Sequence, residues 1–167
     1  YLNKAFKQID TDKKLVIAGG STDSDEFMQE LTRLAADDPR ILFTGFVQGH
    51  MLAELYSNAY VYCLPSDLEG MPLSLLEAMS YGNCCLASDI AECAEVLEDK
   101  GVLFQRGSVE SLKQKLEELF QHPEQVGRYR EEATKYICDK YNWDDVVSKT
   151  LLLYYEKFDV RKAKINR

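Results

Sequence analysis

Apolar residues follow two rhythms along the chain. Short continuous apolar runs stand at Lys14-Leu15-Val16-Ile17-Ala18, Ile41-Leu42-Phe43-Thr44, Ala59-Tyr60-Val61-Tyr62-Cys63-Leu64, Cys84-Cys85-Leu86-Ala87 and Gly101-Val102-Leu103-Phe104. Each predicts a strand, and the lack of polar alternation is that of strands covered on both faces in a parallel sheet. Between the runs the period is helical. Leu2, Phe6 and Ile9 mark one helix, and Phe27, Leu31, Leu34 and Ala35 give an inward face to another over about 24–36. Shorter helices are predicted over 51–58, 74–81 and 90–98, with Gly82 supplying the left-handed residue just past a helix end. From Ser108 onward the pattern is wholly helical. Ser108 or Ser111 caps a helix carrying Leu112, Leu116, Leu119 and Phe120, and Pro123 opens a second through Val126, Tyr129, Ala133, Tyr136 and Ile137. Asn142 caps a third, with Trp143, Val146, Val147, Leu151 and Tyr154 on its apolar side. Residues 159–167 are basic and lack apolar periodicity. They are expected to form a disordered tail beyond a domain of residues 1–158. Alternating strands and helices predict an α/β fold: a doubly wound, Rossmann-like parallel sheet with right-handed crossovers, closed by the C-terminal helices. A chain of 167 residues is long enough to bury a single core.

In such sheets ligands sit at the carboxyl ends of the strands. The loops there are Gly19-Gly20-Ser21, Gly45-Phe46-Val47, residues 66–73, Ser88-Asp89 and Gln105-Arg106, a rim rich in glycine and carboxylate and poor in cations. The fullest is Pro65-Ser66-Asp67-Leu68-Glu69-Gly70-Met71-Pro72-Leu73-Ser74-Leu75-Leu76-Glu77-Ala78-Met79, in which Glu69 and Glu77 flank a Gly/Pro turn into a helix start. Free N–H groups and the positive end of the dipole suit that start to a phosphate. Glu77 has a second reading, because Ser74-Leu75-Leu76-Glu77 matches a capping box. Glu69 has no helix of its own to cap.

Composition narrows the chemistry. A formal net charge of −8 argues against a nucleic-acid partner. The five cysteines are odd in number and none has C-x-x-C spacing, which argues against a zinc or redox site. Cys63, Cys84 and Cys85 lie in strand runs as small hydrophobes, and their free state points to a reducing, cytosolic compartment. Cys84 and Cys85, adjacent on a strand, face opposite sides of the sheet. His50 and His122 stand far apart without ligand spacing and are read as surface residues, and Tyr56, Tyr60, Tyr62 and Phe43 as packing. No apolar run is long enough to span a bilayer, so any membrane contact would be peripheral, at the inner face.

Taken together, these stretches resemble the C-terminal donor-binding domain of a GT-B glycosyltransferase of family 4, the old group 1. The most specific part is Glu69-Gly70-Met71-Pro72-Leu73-Ser74-Leu75-Leu76-Glu77-Ala78, an E-x7-E signature in the variant E-G-x-P-x-S-x-x-E-A. Phe43-Thr44-Gly45-Phe46-Val47, Ala87-Ser88-Asp89, Glu95-Val96, Gly101-Val102-Leu103-Phe104 and Tyr141-Asn142-Trp143 support it in order. The resemblance implies a retaining transferase using a nucleotide-diphosphate sugar, UDP- or GDP-linked, with no cofactor and no metal. Glu69 would contact the donor sugar near the reacting centre. The N–H groups from Gly70, Met71, Pro72, Leu73 and Ser74 would hold sugar and diphosphate, less the one that proline lacks. Glu77 would accept from the ribose hydroxyls, Phe46 and Val47 would border the base, and Gly19 and Gly20 would leave room beside the diphosphate. The family's diphosphate-clamping Arg and Lys belong upstream of Tyr1, as do its first strand and its N-terminal acceptor domain, so this chain alone is expected to bind donor without turnover. The rivals are a nucleotide-sugar epimerase or hydrolase of related fold, which the E-x7-E spacing disfavours, and a non-enzymatic partner-binding α/β domain, which would carry an acidic cluster and Lys at its strand ends.

Overall fold

The computed structural model describes residues 1–20 and 25–165. Its elements run α1 (Leu2–Phe6), β1 (Leu15–Ala18), α2 (Asp25–Ala35), β2 (Ile41–Gly45), α3 (Gly49–Asn58), β3 (Tyr62–Leu64), α4 (Leu73–Ser80), β4 (Cys85–Ser88), α5 (Ala91–Leu97), β5 (Val102–Phe104), α6 (Val109–Gln121), α7 (Pro123–Lys140) and α8 (Trp143–Ile165). Every strand pairing is parallel, as the alternation requires. The hydrogen bonds form two ladders, β1 with β2 and β3-β4-β5, with Tyr62 opposite Cys85 and Leu86 opposite Val102.

The centre of the molecule is β4, whose four residues are all buried. On one side Cys85 and Ala87 meet Leu75, Ala78 and Met79 of α4, Val96 and Leu97 of α5, and Ala133 and Ile137 of α7. On the other, Cys84 and Leu86 meet Ala5, Phe104 and the Leu112, Leu116, Leu119 stripe of α6. The adjacent cysteines thus face opposite sides, and burial pushes the Cys84 thiol up to about 12 and Cys85 well above its ordinary value. Both are packing groups.

Two-sided cover fails in the other ladder. Leu15, Ile17, Ile41 and Phe43 pack with Phe6 and Ala35, whereas Val16 and Leu42 on the opposite face stay about 40% exposed. A continuous apolar run shows that both faces of a strand are apolar, and cover then depends on what lies above each. The same limit corrects two helical faces. Phe27, expected inward, is exposed, and so are Trp143, Val146, Val147, Leu151 and Tyr154 along α8. The tail expected to be disordered continues α8 through Ile165, in keeping with the strong helix formers Arg161, Lys162, Ala163 and Lys164.

The caps settle what the pattern left open. Ser108 Oγ accepts from the Ser111 N–H at 3.1 Å, which makes Ser108 the cap of α6. Asn142 Oδ1 accepts from the Asp145 N–H at 2.8 Å, and Pro123 opens α7 where its missing N–H costs nothing. Gly82 ends α4 at φ +71°, and a side chain there would also press on Thr134 Oγ1 at 3.3 Å.

Arg40, paired with Asp38 just before β2, ties that loop to the one between α1 and β1. Arg40 donates from Nη1 to the carbonyls of Ile9 and Thr11 at 2.8 and 3.1 Å, and from Nε and Nη2 to the Asp38 carboxylate at 2.9 and 2.7 Å. The guanidinium holds the Asp38 carboxyl down at about 2, below the ordinary value of 3.8. A depressed folded-state value contributes stability that is present above pH 4 or so and is lost as the pH falls towards 2. In urea unfolding followed from about pH 5 to 2, the wild type should therefore lose more stability than Asp38→Asn in that window. Parallel curves would reject the linkage.

Candidate functional site

The site is built where β3 hands over to α4. The chain leaves Leu64, turns through residues 65–72 and enters the helix at Leu73. Pro72 is buried and stands at the N-cap, with no side chain closing the helix end. Its carbonyl accepts from the N–H groups of Leu75 and Leu76 at 2.9 and 3.2 Å, while the Leu73 N–H turns back to Met71 O at 2.8 Å. Pro72 has no N–H to offer. Of the run Gly70 to Ser74, the N–H groups of Gly70, Met71 and Ser74 therefore remain without a backbone acceptor among the described residues. An open helix start of this kind is an anion-binding feature.

The two carboxylates are held differently. Glu69, half-buried, accepts at Oε1 from Ser66 Oγ at 2.7 Å, and Ser88 Oγ at the end of β4 donates to Ser66 O. Two serine hydroxyls thus brace the Glu69 loop against the neighbouring strand. Beneath it Cys93 is buried, its thiol raised to about 11 by burial first and by the nearby Glu69 charge second. Glu77 lies one turn into α4 with its side chain exposed, and Oε2 accepts from Tyr56 Oη at 3.1 Å. This overturns the capping-box reading: the cap is at Pro72, Ser74 is inside the helix, and Glu77 bonds across to α3. Tyr56 is thus more than the packing residue expected, and neither its bond to Glu77 nor that of Ser88 to Ser66 is legible in the sequence, because each joins residues more than twenty positions apart; Ser66 to Glu69 spans only three.

The remaining expected residues form a second group. Gly19, at φ +127°, donates its N–H to Gly45 O at 2.8 Å, which brings the turn of Gly19 and Gly20 against that of Gly45, Phe46 and Val47. Phe46 is 79% exposed and Val47 half-buried, and Ser21 lies outside the described residues. Beyond Glu69 the rim opens into a cleft of about 350 Å³ between Asp67, Ile90, Glu92 and Arg106. Arg106 donates its backbone N–H to Asp89 Oδ1 at 2.8 Å and Nη1 to Asp67 O at 3.4 Å, so this rim cation is already engaged. Among the described residues no three His, Cys, Asp or Glu side chains gather as a metal site requires.

The family model for glycosyl transferases group 1 matches residues 1–136. The chain belongs to that family. An uncharacterized glycosyltransferase of Methanocaldococcus jannaschii is 29% identical over 147 residues, covering 84% of this chain and 36% of the relative. The N-acetyl-alpha-D-glucosaminyl L-malate synthase of Bacillus anthracis is 28% identical over 167 residues, 97% of this chain and 43% of that protein. The group 1 domain also superposes on Anabaena HepE, solved in complex with UDP-glucose, with a TM-score of 0.86 at 15% identity, over 93% of this chain and 44% of that one. At that identity the likeness speaks for the fold, which is the expected α/β fold of a GT-B glycosyltransferase. The group 1 chain spans less than half the length of these relatives.

Proposed function

We propose that this group 1 domain binds the nucleotide-diphosphate sugar of a retaining glycosyltransferase, in a protein whose acceptor-binding domain and diphosphate-clamping cations lie outside this chain. The observation that carries the reading is the helix start itself, where the N–H groups of Gly70, Met71 and Ser74 have no backbone acceptor among the described residues and stand between two braced carboxylates. In this reading the donor's diphosphate lies over the α4 N-terminus, where dipole and amides offset its charge, and the departing nucleoside diphosphate is stabilised there without calling on a metal ion. Glu77 accepts from the ribose hydroxyls, and Glu69 from the sugar hydroxyls beside the bond that breaks. Phe46 and Val47 border the base, and Gly19 and Gly20 leave space beside the phosphates. The UDP-glucose complex of HepE supports this class of ligand. This chain alone binds donor and does not turn over. In this reading the domain works in the cytoplasm, with peripheral contact at the inner face of a membrane; among the described residues no helix is long and apolar enough to cross a membrane.

Titration of the protein with UDP, GDP and ADP, followed by NMR, tests the reading. One nucleotide should shift Phe46 and Leu73 to Glu77 selectively. Glu77→Ala should weaken it by roughly tenfold or more, the cost of losing hydrogen bonds to a charged group. Shifts confined elsewhere, or an unchanged affinity in the variant, would reject the site. Acceptor-independent cleavage of a nucleotide sugar would favour the hydrolase instead.

A further inference from the structure

Glu77 projects from an exposed helix surface, where a free glutamate would sample many rotamers. One of its oxygens is nevertheless tied down. Tyr56 is 8% exposed, and its hydroxyl lies 3.1 Å from Glu77 Oε2 and 3.4 Å from the Ser74 carbonyl. Both neighbours are acceptors, so the phenol is the donor. Burial and the Glu77 charge raise the Tyr56 phenol, which keeps that proton in place at working pH. The ring cannot easily turn away. It stacks on Tyr81 at 5.3 Å between centroids with 19° between planes, and tilts against Tyr62 at 5.8 Å. Its backbone is pinned as well: the fully buried Asn83 donates from Nδ2 to Tyr56 O and to Ala78 O, both at 2.9 Å, locking the end of α3 to α4.

We propose that Tyr56 is a positioning residue: its hydroxyl holds Oε2 of Glu77 so that Oε1 stands ready for the two ribose hydroxyls of the donor nucleotide. The proposal rests on the donor-site reading above. Preorganisation of this kind improves binding by removing the cost of ordering a long side chain on contact. It predicts a loss tied to the ribose hydroxyls, which a general loosening of the fold would not produce.

The test is calorimetric titration with whichever of UDP, GDP and ADP binds most tightly, and with its 2′,3′-dideoxy counterpart. Tyr56→Phe keeps the ring and removes the hydroxyl. It should weaken the ribonucleotide about fivefold, the size of one hydrogen bond, and leave the dideoxynucleotide unchanged. Added to Glu77→Ala it should cost nothing further, and Ser80→Ala, whose hydroxyl only returns to the Glu77 carbonyl at 2.7 Å, should be silent. If Glu77→Ala weakens binding and Tyr56→Phe does not, the positioning role is overturned while the donor site stands. Equal losses for both nucleotides in Tyr56→Phe overturn it too, as a purely structural effect. A silent Glu77→Ala, or a wild type that binds none of the three, removes the donor-site reading and the proposal with it.

Discussion

Replacing Glu69 by Gln in a protein carrying both domains is expected to lower kcat for sugar transfer by about two to three orders of magnitude, the scale for removing one preorganised group at a reacting centre. The affinity for the nucleoside diphosphate should change little, because Glu69 faces the sugar in the proposed arrangement and Glu77 the ribose. Glu69 is held before any ligand arrives, by Ser66 Oγ and behind it Ser88. The charge is therefore in place when the bond to the leaving diphosphate breaks. Glutamine keeps the shape and one acceptor, so a loss in the variant reports the charge. Initial rates with the nucleotide sugar, set beside a titration with the nucleoside diphosphate, separate the two effects. An unchanged kcat would remove Glu69 from the reacting centre, and a parallel loss of nucleotide affinity would place it on the wrong part of the donor.

The second large effect is on stability. Leu75→Ala should cost about 3 kcal/mol in urea unfolding, within the usual range for a leucine removed from a closed core. Leu75 is fully buried with Ala78 and Met79 on the inner face of α4, against β4 and α7. Neither neighbour can swing in to fill the space, since the helix is also held at its far end by Asn83. A loss below about 1 kcal/mol would mean that the core relaxes around the site more freely than this packing allows. Two positions apart on one helix, residue 75 should govern folding and residue 77 binding.

Much of this was legible in the chain. The five runs beginning at Lys14, Ile41, Ala59, Cys84 and Gly101 each hold one of five parallel strands, the third shortened to Tyr62–Leu64, because continuous apolar runs of that length suit strands. A serine cap at 108 or 111, the helix opening at Pro123 and the cap at Asn142 were readable because each depends on near neighbours, and the structure chose Ser108. The helix expected from about residue 74, one position from its start at Leu73, and its two carboxylates were visible for the same local reason. Local reasoning also misled. Ser74 to Glu77 has the spacing of a capping box, yet Pro72 shifts the helix start and Glu77 turns to Tyr56. Phe27, Val16, Leu42 and the apolar residues of α8 carry the right periodicity without the expected cover.

By itself, then, the sequence determined the order and type of the elements, the parallel sense of the sheet and the loop-to-helix stretch on which the proposed donor site rests. Each depends on backbone propensity, periodicity or a bond within a few residues. Only the tertiary structure decided which apolar faces are covered, and which hydroxyl holds which carboxylate. Tyr56 reaches Glu77 across 21 positions and Ser88 reaches Ser66 across 22, and such pairs exist only once α3, β3, α4 and β4 have packed. A side chain's partner in space is set by the register and spacing of packed elements, which residue type at one position does not encode.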